Sequence, residues 1–142
     1  MDSKAKMELR IPSVLGYEKL AMDFAASAAR MMRFSESRIE DLKTAVSEAC
    51  INAIEHGNKL DASIKVGISL AVEGSGLRVE VHDVEGHMIE HVRTPNIEEK
   101  IERKDAPRGW GIFLIKNLVD EVQFESRPEG GNIVKMIIHL ER

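Results

Sequence analysis

A single cysteine, Cys50, rules out an intrachain disulfide and any thiolate-rich metal cluster. No segment reaches the roughly 18–20 consecutive apolar residues needed to span a bilayer, and the opening MDSKAKMELRIPS lacks the apolar stretch of a signal peptide. An excess of one charge is nearly missing as well. With 20 basic against 24 acidic residues the formal net charge is -4, which offers no global attraction to a polyanion such as DNA or to an anionic membrane. Internal repeats and low-complexity tracts are absent. Together these absences predict a cytoplasmic protein with no direct nucleic-acid partner and no membrane partner. They do not exclude a nucleotide, because backbone N–H groups and one helix terminus can hold phosphates whatever the total charge.

What is present is enough for one core. The 142 residues are 43% apolar and 31% charged, which fits one domain over residues 1–142 with a wet surface. Met7 to Ile11 alternates as a short strand does, and Pro12 with Ser13 breaks the pattern before a helix. From Val14 to Phe34, Leu20, Phe24, Ala28 and Met31 recur at helical spacing, with Gly16 weakening the first turn. Ser35 is a good N-cap for a second helix, whose apolar stripe is Ile39, Leu42, Val46, Ala49 and Ala53. Asp41, Glu48, Asn52 and Glu55 fall on another face, and Gly57 with Asn58 supplies a stop.

Ile64, Val66, Ile68, Leu70 and Val72 alternate next, then Leu77, Val79 and Val81, a pattern that predicts a β-hairpin with one buried face. Residues 85–108 form a polar stretch carrying Pro95 and Pro107, too long for an ordinary connection, and suggest a lid. Helical spacing resumes over Gly109–Asp120. Two strands, Glu121–Ser126 and Ile133–Leu140, close the chain across a Pro- and Gly-rich turn. The order predicts a two-layer α/β sandwich, with helices on one face of a mixed, mainly antiparallel sheet.

Three constellations can carry chemistry. In EACINAIEHGN, residues 48–58, Glu48 and Asn52 are one helical turn apart on one face. An amide oxygen can ligate Mg²⁺, and a carboxylate beside it can deprotonate a hydroxyl or water at the same phosphate; a solvated surface pair is the plainer reading. In VEVHDVEG, residues 79–86, Asp83 at a strand end can accept a hydrogen bond from an exocyclic amine, or it simply begins a turn. In RGWGIFLIKNLVDEV, residues 108–122, Gly109 and Gly111 precede an apolar run and can let backbone N–H groups approach phosphate, with Arg108 adding charge. An ordinary loop before a core helix explains the same glycines. Trp110 can pack on the lid, meet a partner or fill core, and Cys50 beside Ala49 and Ile51 reads as a buried structural thiol. His56, His82, His87 and His91 lack a metal-site spacing.

In order and wording these motifs resemble the ATP-binding superfamily of gyrase, histidine kinases and MutL, with its Bergerat fold. Within it, EACINAIEHGN and RGWGIFLIKNLVDEV are similar to the anti-sigma-factor serine kinases of bacterial stress and sporulation switches, over nearly the whole chain from Met7 to Leu140. The resemblance implies ATP and Mg²⁺ as cofactors, Glu48 as catalytic base toward a partner's serine and Asn52 as Mg²⁺ ligand. It implies Asp83 as the adenine-binding carboxylate, Gly86 in the pocket wall and Gly109 with Gly111 facing the phosphates. His56, Arg108 and Trp110 complete the implied nucleotide-binding set. The implied partners are a sigma factor, an anti-sigma-antagonist protein that accepts the phosphoryl group on serine, and a second copy of the chain in a homodimer. Two alternatives share the fold: a non-catalytic or weakly ATP-binding switch module, and the related phosphatase-activating switch kinase. The family's Asp-x-Gly-x-Gly reads here Asp83-Val84-Glu85-Gly86-His87. Glu enters positive φ less freely than Gly and repels phosphate, which predicts weakened nucleotide affinity or a reshaped pocket entrance.

Overall fold

The computed structural model describes residues 4–84, 106–128 and 130–140, with the backbone alone at 106–110. In chain order it runs β1 (Lys6–Pro12), α1 (Glu18–Met31), α2 (Glu36–Asn52), β2 (Lys65–Glu73), β3 (Gly76–His82), α3 (Ala106–Leu118), β4 (Glu121–Ser126) and β5 (Asn132–His139). The strand order is β1-β2-β3-β5-β4. Every neighbouring pair is antiparallel, where the sequence left room for a mixed sheet. Among the described residues, no helix is long and apolar enough to cross a membrane.

Alternation fixes which side of the sheet meets the helices. Ile11, Val66, Ile68, Leu70, Leu77, Val79, Val81, Met136 and Ile138 are buried. The residues between them carry the outer face, as the two-residue period of a strand requires. Pro12 is tolerated because β1 is an edge strand and Pro12 is its last residue. The β2–β3 hairpin pairs Glu73 with Gly76 across Gly74 and Ser75, and Gly74 takes φ +60° in that two-residue loop.

The first helix differs from its expected form. Val14 to Tyr17 make turns, with Gly16 at φ +107°, and α1 starts only at Glu18. Its buried face is Ala21, Ala25, Ala26, Ala28 and Ala29, whereas Leu20 and Met31 are 53% and 64% exposed. Of the expected Leu20–Phe24–Ala28–Met31 stripe, Ala28 is buried and Phe24 packs partly buried against the core, while Leu20 and Met31 are corrected to exposed positions: packing closely against α2 favours small side chains, which moves the seam round the helix from them. The end of α1 is a Schellman closure without glycine. Arg33 at φ +66° donates its N–H to Arg30 O at 3.0 Å, and Phe34 donates to Ala29 O at 3.1 Å, with Phe34 buried behind it.

The second helix follows its pattern. Ser35 Oγ accepts the Arg38 N–H at 3.2 Å as N-cap, and Ile39, Leu42, Val46, Ala49 and Ala53 are all buried. Past Asn52 the helix widens into a π turn over Ala53–Gly57. Such turns arise where one extra residue is accommodated and often mark functional positions.

Candidate functional site

The site lies where the end of α2, the end of β3, the start of β5 and α3 meet. Asp83 follows β3 on the helix side of the sheet and is buried. Its Oδ1 accepts the Asn132 N–H at 3.0 Å, Oδ2 lies 3.5 Å from Asn132 Nδ2, and its own N–H donates to Asn132 O at 3.0 Å. Asn132 Oδ1 in turn accepts from Ser126 Oγ at 3.0 Å. The carboxylate is thus held in one orientation by β5.

Gly57 closes the other side of that carboxylate. A Cβ there would collide with Asp83, so the π turn can lie against the acid only because this position is bare. Gly131, at φ +92°, is equally constrained, since a Cβ would stand 2.6 Å from the Asp83 carbonyl oxygen. Asn58 ties the surroundings together. Its Nδ2 donates to Ser13 Oγ at 3.0 Å and to the Lys65 carbonyl at 3.3 Å, while Oδ1 accepts the Val84 N–H at 3.0 Å.

Glu48 and Asn52 project from one face of α2 toward α3. A Cβ on Gly111 would lie 2.9 Å from Glu48 Oε2 and 3.3 Å from Asn52 Nδ2, so a bare Cα is what rests on the pair. Burial pushes the Glu48 carboxyl above its ordinary value, and the neighbouring charge of Glu55 adds to the rise. A carboxylate raised in this way is a better proton acceptor near neutral pH.

Between Asp83 and Asn52 a cavity of about 40 Å³ remains, bounded also by Ala49, Gly57, Ile112 and Asn132. At the roughly 10–15 Å³ that one water requires, it has room for a few waters, and it is far below the roughly 300–1,000 Å³ of ligand pockets. Helix α3 forms one wall through Ile112. It begins at Ala106, so Gly109 and Gly111 lie inside the helix, where the sequence placed them ahead of it. Pro107, expected within the lid, sits instead in the first turn of α3, which tolerates proline because those N–H groups have no intrahelical acceptor.

The expected site residues divide accordingly. Glu48, Asn52, Asp83 and Gly111 come together. His56 is exposed on the π turn, its Nε2 4.0 Å from Glu55 Oε1, and does not bound the cavity. Gly109 lies in the first turns of α3. The side chains of Arg108 and Trp110 lie outside what the structure describes, as do Gly86, Glu85, His87 and His91. The same holds for the lid expected at 85–108, except that 106–108 open α3. Cys50 is buried and its thiol is pushed far up by burial, as a structural thiol would be. Gly57, Asn58 and Asn132 are the residues that sequence reasoning missed as parts of the site. The first two read as a helix stop and the third as a turn residue, and only the topology brings them to Asp83.

These side chains fit a magnesium nucleotide in their chemistry. Asn52 offers an amide oxygen to a hard cation, and Gly57 and Gly111 leave two places where a Cβ would otherwise stand against an acid.

The sequence matches the profile of the "Histidine kinase-like ATPase domain" family over residues 11–138. The chain belongs to that family. Within it, the chain is 30% identical over 142 residues to the anti-sigma F factor of Bacillus subtilis (strain 168), covering 98% of this chain and 95% of that protein. It is 32% identical over 143 residues to the anti-sigma F factor of Thermoanaerobacter sp. (strain X514), with 99% and 97% covered. The serine-protein kinase RsbW of Oceanobacillus iheyensis is 30% identical over 125 residues, covering 85% of this chain and 79% of that one. These matches set this histidine kinase-like ATPase domain among the anti-sigma-factor serine kinases.

Solved structures agree on the fold. The RsbU and RsbW domains of Rv1364c from Mycobacterium tuberculosis superpose with a TM-score of 0.69 at 18% identity, over 97% of this chain and 33% of that longer one. The SiaB-SiaC complex from Pseudomonas aeruginosa gives 0.67 at 9% identity, over 93% and 88%.

Proposed function

We propose that this chain is an ATP-dependent serine protein kinase that also acts as an anti-sigma factor in the cytoplasm. The observation that carries the reading is the Glu48–Asn52 pair lying against the bare Cα of Gly111, one wall away from the pinned Asp83. Relatives named anti-sigma F factor and serine-protein kinase support it over 98% and 85% of the chain respectively.

In this reading Asp83 receives the exocyclic amine of adenine, and Asn132 keeps its carboxylate turned toward the cavity. Asn52 Oδ1 would hold Mg²⁺, which when bound neutralises charge on the phosphates. Glu48 accepts the proton of a partner's serine as the serine oxygen bonds to the γ-phosphorus and the bond to the ADP oxygen breaks. Its raised proton affinity suits that role. The partners are a sigma factor and an antagonist protein that carries the serine, and the working unit is a homodimer. Purine entry requires α3 to shift from the position that leaves about 40 Å³.

Phosphotransfer from labelled ATP to protein captured from the native cytoplasm tests the assignment. The expected result is Mg²⁺-dependent labelling on serine that disappears in Glu48→Ala and in Asn52→Ala. Unchanged labelling in both variants removes it. The closed cavity favours a second reading, a non-catalytic switch module of the same fold, and absence of calorimetric heat at millimolar ATP with Mg²⁺ would select it.

A further inference from the structure

The outer face of the sheet carries a second concavity that the nucleotide reading does not use. It encloses about 320 Å³ over β1, β2 and β3. Its origin is in the register. Arg10 pairs with Gly67, and Gly67 pairs with His82, so two long side chains flank a position with none. In the next outward row Glu8 and Glu80 flank Ser69. A trough follows from placing the two smallest side chains on the middle strand.

Its charge is unusual for a chain of net charge -4. Arg10, Lys65 and Arg127 all line it, with Glu8 the acid among the described lining residues and Glu80 beside Ser69 in the next row. On the same sheet face Arg78 bridges Glu73 and Glu80, and Lys135 bridges Glu125. Among the described residues, Arg10, Lys65 and Arg127 form no ion pair with a carboxylate.

Arg127 is nonetheless held in place. Its guanidinium lies 2.5 Å from His82 Nδ1, and His82 Nε2 lies 3.1 Å from Glu80 Oε1. A guanidinium has no lone pair to offer, so it donates to Nδ1, and the ring proton sits on Nε2 toward Glu80. His82 is 23% exposed, and burial together with Arg127 depresses its proton affinity, which keeps Nδ1 an acceptor. The arrangement leaves the rest of a fixed guanidinium fork facing a trough with two further cations at its walls.

We infer that this trough is a second ligand site, distinct from the nucleotide cavity, that takes a small multivalent oxyanion such as a phosphate- or carboxylate-bearing metabolite. Arg127 supplies the oriented charge-assisted hydrogen bonds, and Arg10 and Lys65 supply the remaining positive charge. The site opens on the opposite face of β3 from Asp83, so neighbouring residues of one strand end, His82 and Asp83, serve the two sites.

The test is a titration of the full chain with inorganic pyrophosphate, followed by the ring C–H signals of His82 in NMR, against sodium chloride at matched ionic strength. The expected result is saturable binding with a dissociation constant below about 1 mM, at least about tenfold weaker in Arg127→Ala. Gly67→Val gives an independent check. A Cβ there meets only His82 Cβ at 3.9 Å, so the variant should fold with an unchanged melting temperature while its side chain fills the trough and removes binding. Asn52→Ala should bind pyrophosphate as the parent does. The inference is overturned if the His82 signals follow chloride equally, if they never saturate, or if Asn52→Ala abolishes binding while Arg127→Ala keeps it.

Discussion

Two glycines touch two acids in this molecule, and the surroundings give the contacts opposite meanings. Gly57 rests on Asp83, whose carboxylate is fixed by Asn132 and whose carbonyl is walled by Gly131. Nothing there can yield. Gly111 rests on the far ends of the Glu48 and Asn52 side chains, and it belongs to α3, where Gly111 and Ile115 are buried and Leu118 is partly buried against the core. The Asp83 end is thus built by hydrogen bonds and backbone approach, while the Glu48–Asn52 end is covered by α3. The proposed nucleotide site needs that asymmetry: one end that recognises and one that opens.

The largest effect expected from breaking this comparison is on chemistry. Glu48→Gln should lower phosphotransfer by about 10²–10⁴-fold, the usual contribution of a general base, while leaving nucleotide affinity nearly unchanged. The same substitution should stabilise the fold. The folded-state proton affinity of Glu48 is raised, so its ionised form carries a cost above the folded pKa that vanishes as pH falls below the unfolded value of about 4.3. Thermal unfolding should show Glu48→Gln melting higher than the parent at pH 7, with the advantage gone near pH 4.

At the rigid end, Gly57→Ala forces a Cβ into Asp83. It should cost about 1–3 kcal/mol in chemical denaturation, as overpacking does, and abolish nucleotide binding in calorimetry. Asn58→Ala strips partners from the Val84 N–H and Ser13 Oγ and should cost a comparable 1–3 kcal/mol, roughly, for buried groups left unmade. The smallest change should come from Gly111→Ala. Its Cβ displaces only the ends of the Glu48 and Asn52 side chains, and alanine gains about 1 kcal/mol of helix propensity over glycine. Stability should therefore hold within about 1 kcal/mol, with binding of Mg²⁺-ATP measurably weaker. Equal losses in Gly57→Ala and Gly111→Ala would erase the distinction between the two ends.

The same contrast explains what could be read before the structure. Ser35, the Ile39–Ala53 stripe and the hairpin of β2 and β3 were legible because local period and capping chemistry decide them. Glu48, Asn52 and Asp83 were legible as candidates because their motifs are short and contiguous. The seam of α1 was legible only at Ala28 and partly at Phe24, since its buried alanines are chosen by the closeness of α2, while Leu20 and Met31 carry the stronger apolar signal and stand in solvent. The start of α3 was not legible, where proline and glycine argue locally against a helix that tertiary packing sets in place. Asn132 lies 49 residues from Asp83 in sequence and meets it only because β5 inserts between β3 and β4.

The central claim, a magnesium nucleotide held between Asp83 and the Glu48–Asn52 face, is tested most directly by calorimetric titration of ATP with Mg²⁺ into the parent chain, Asp83→Asn and Asn52→Ala. The account predicts one site in the parent, weakened at least about tenfold by either substitution, the equivalent of about 1.4 kcal/mol. Binding of equal strength in all three proteins would contradict it.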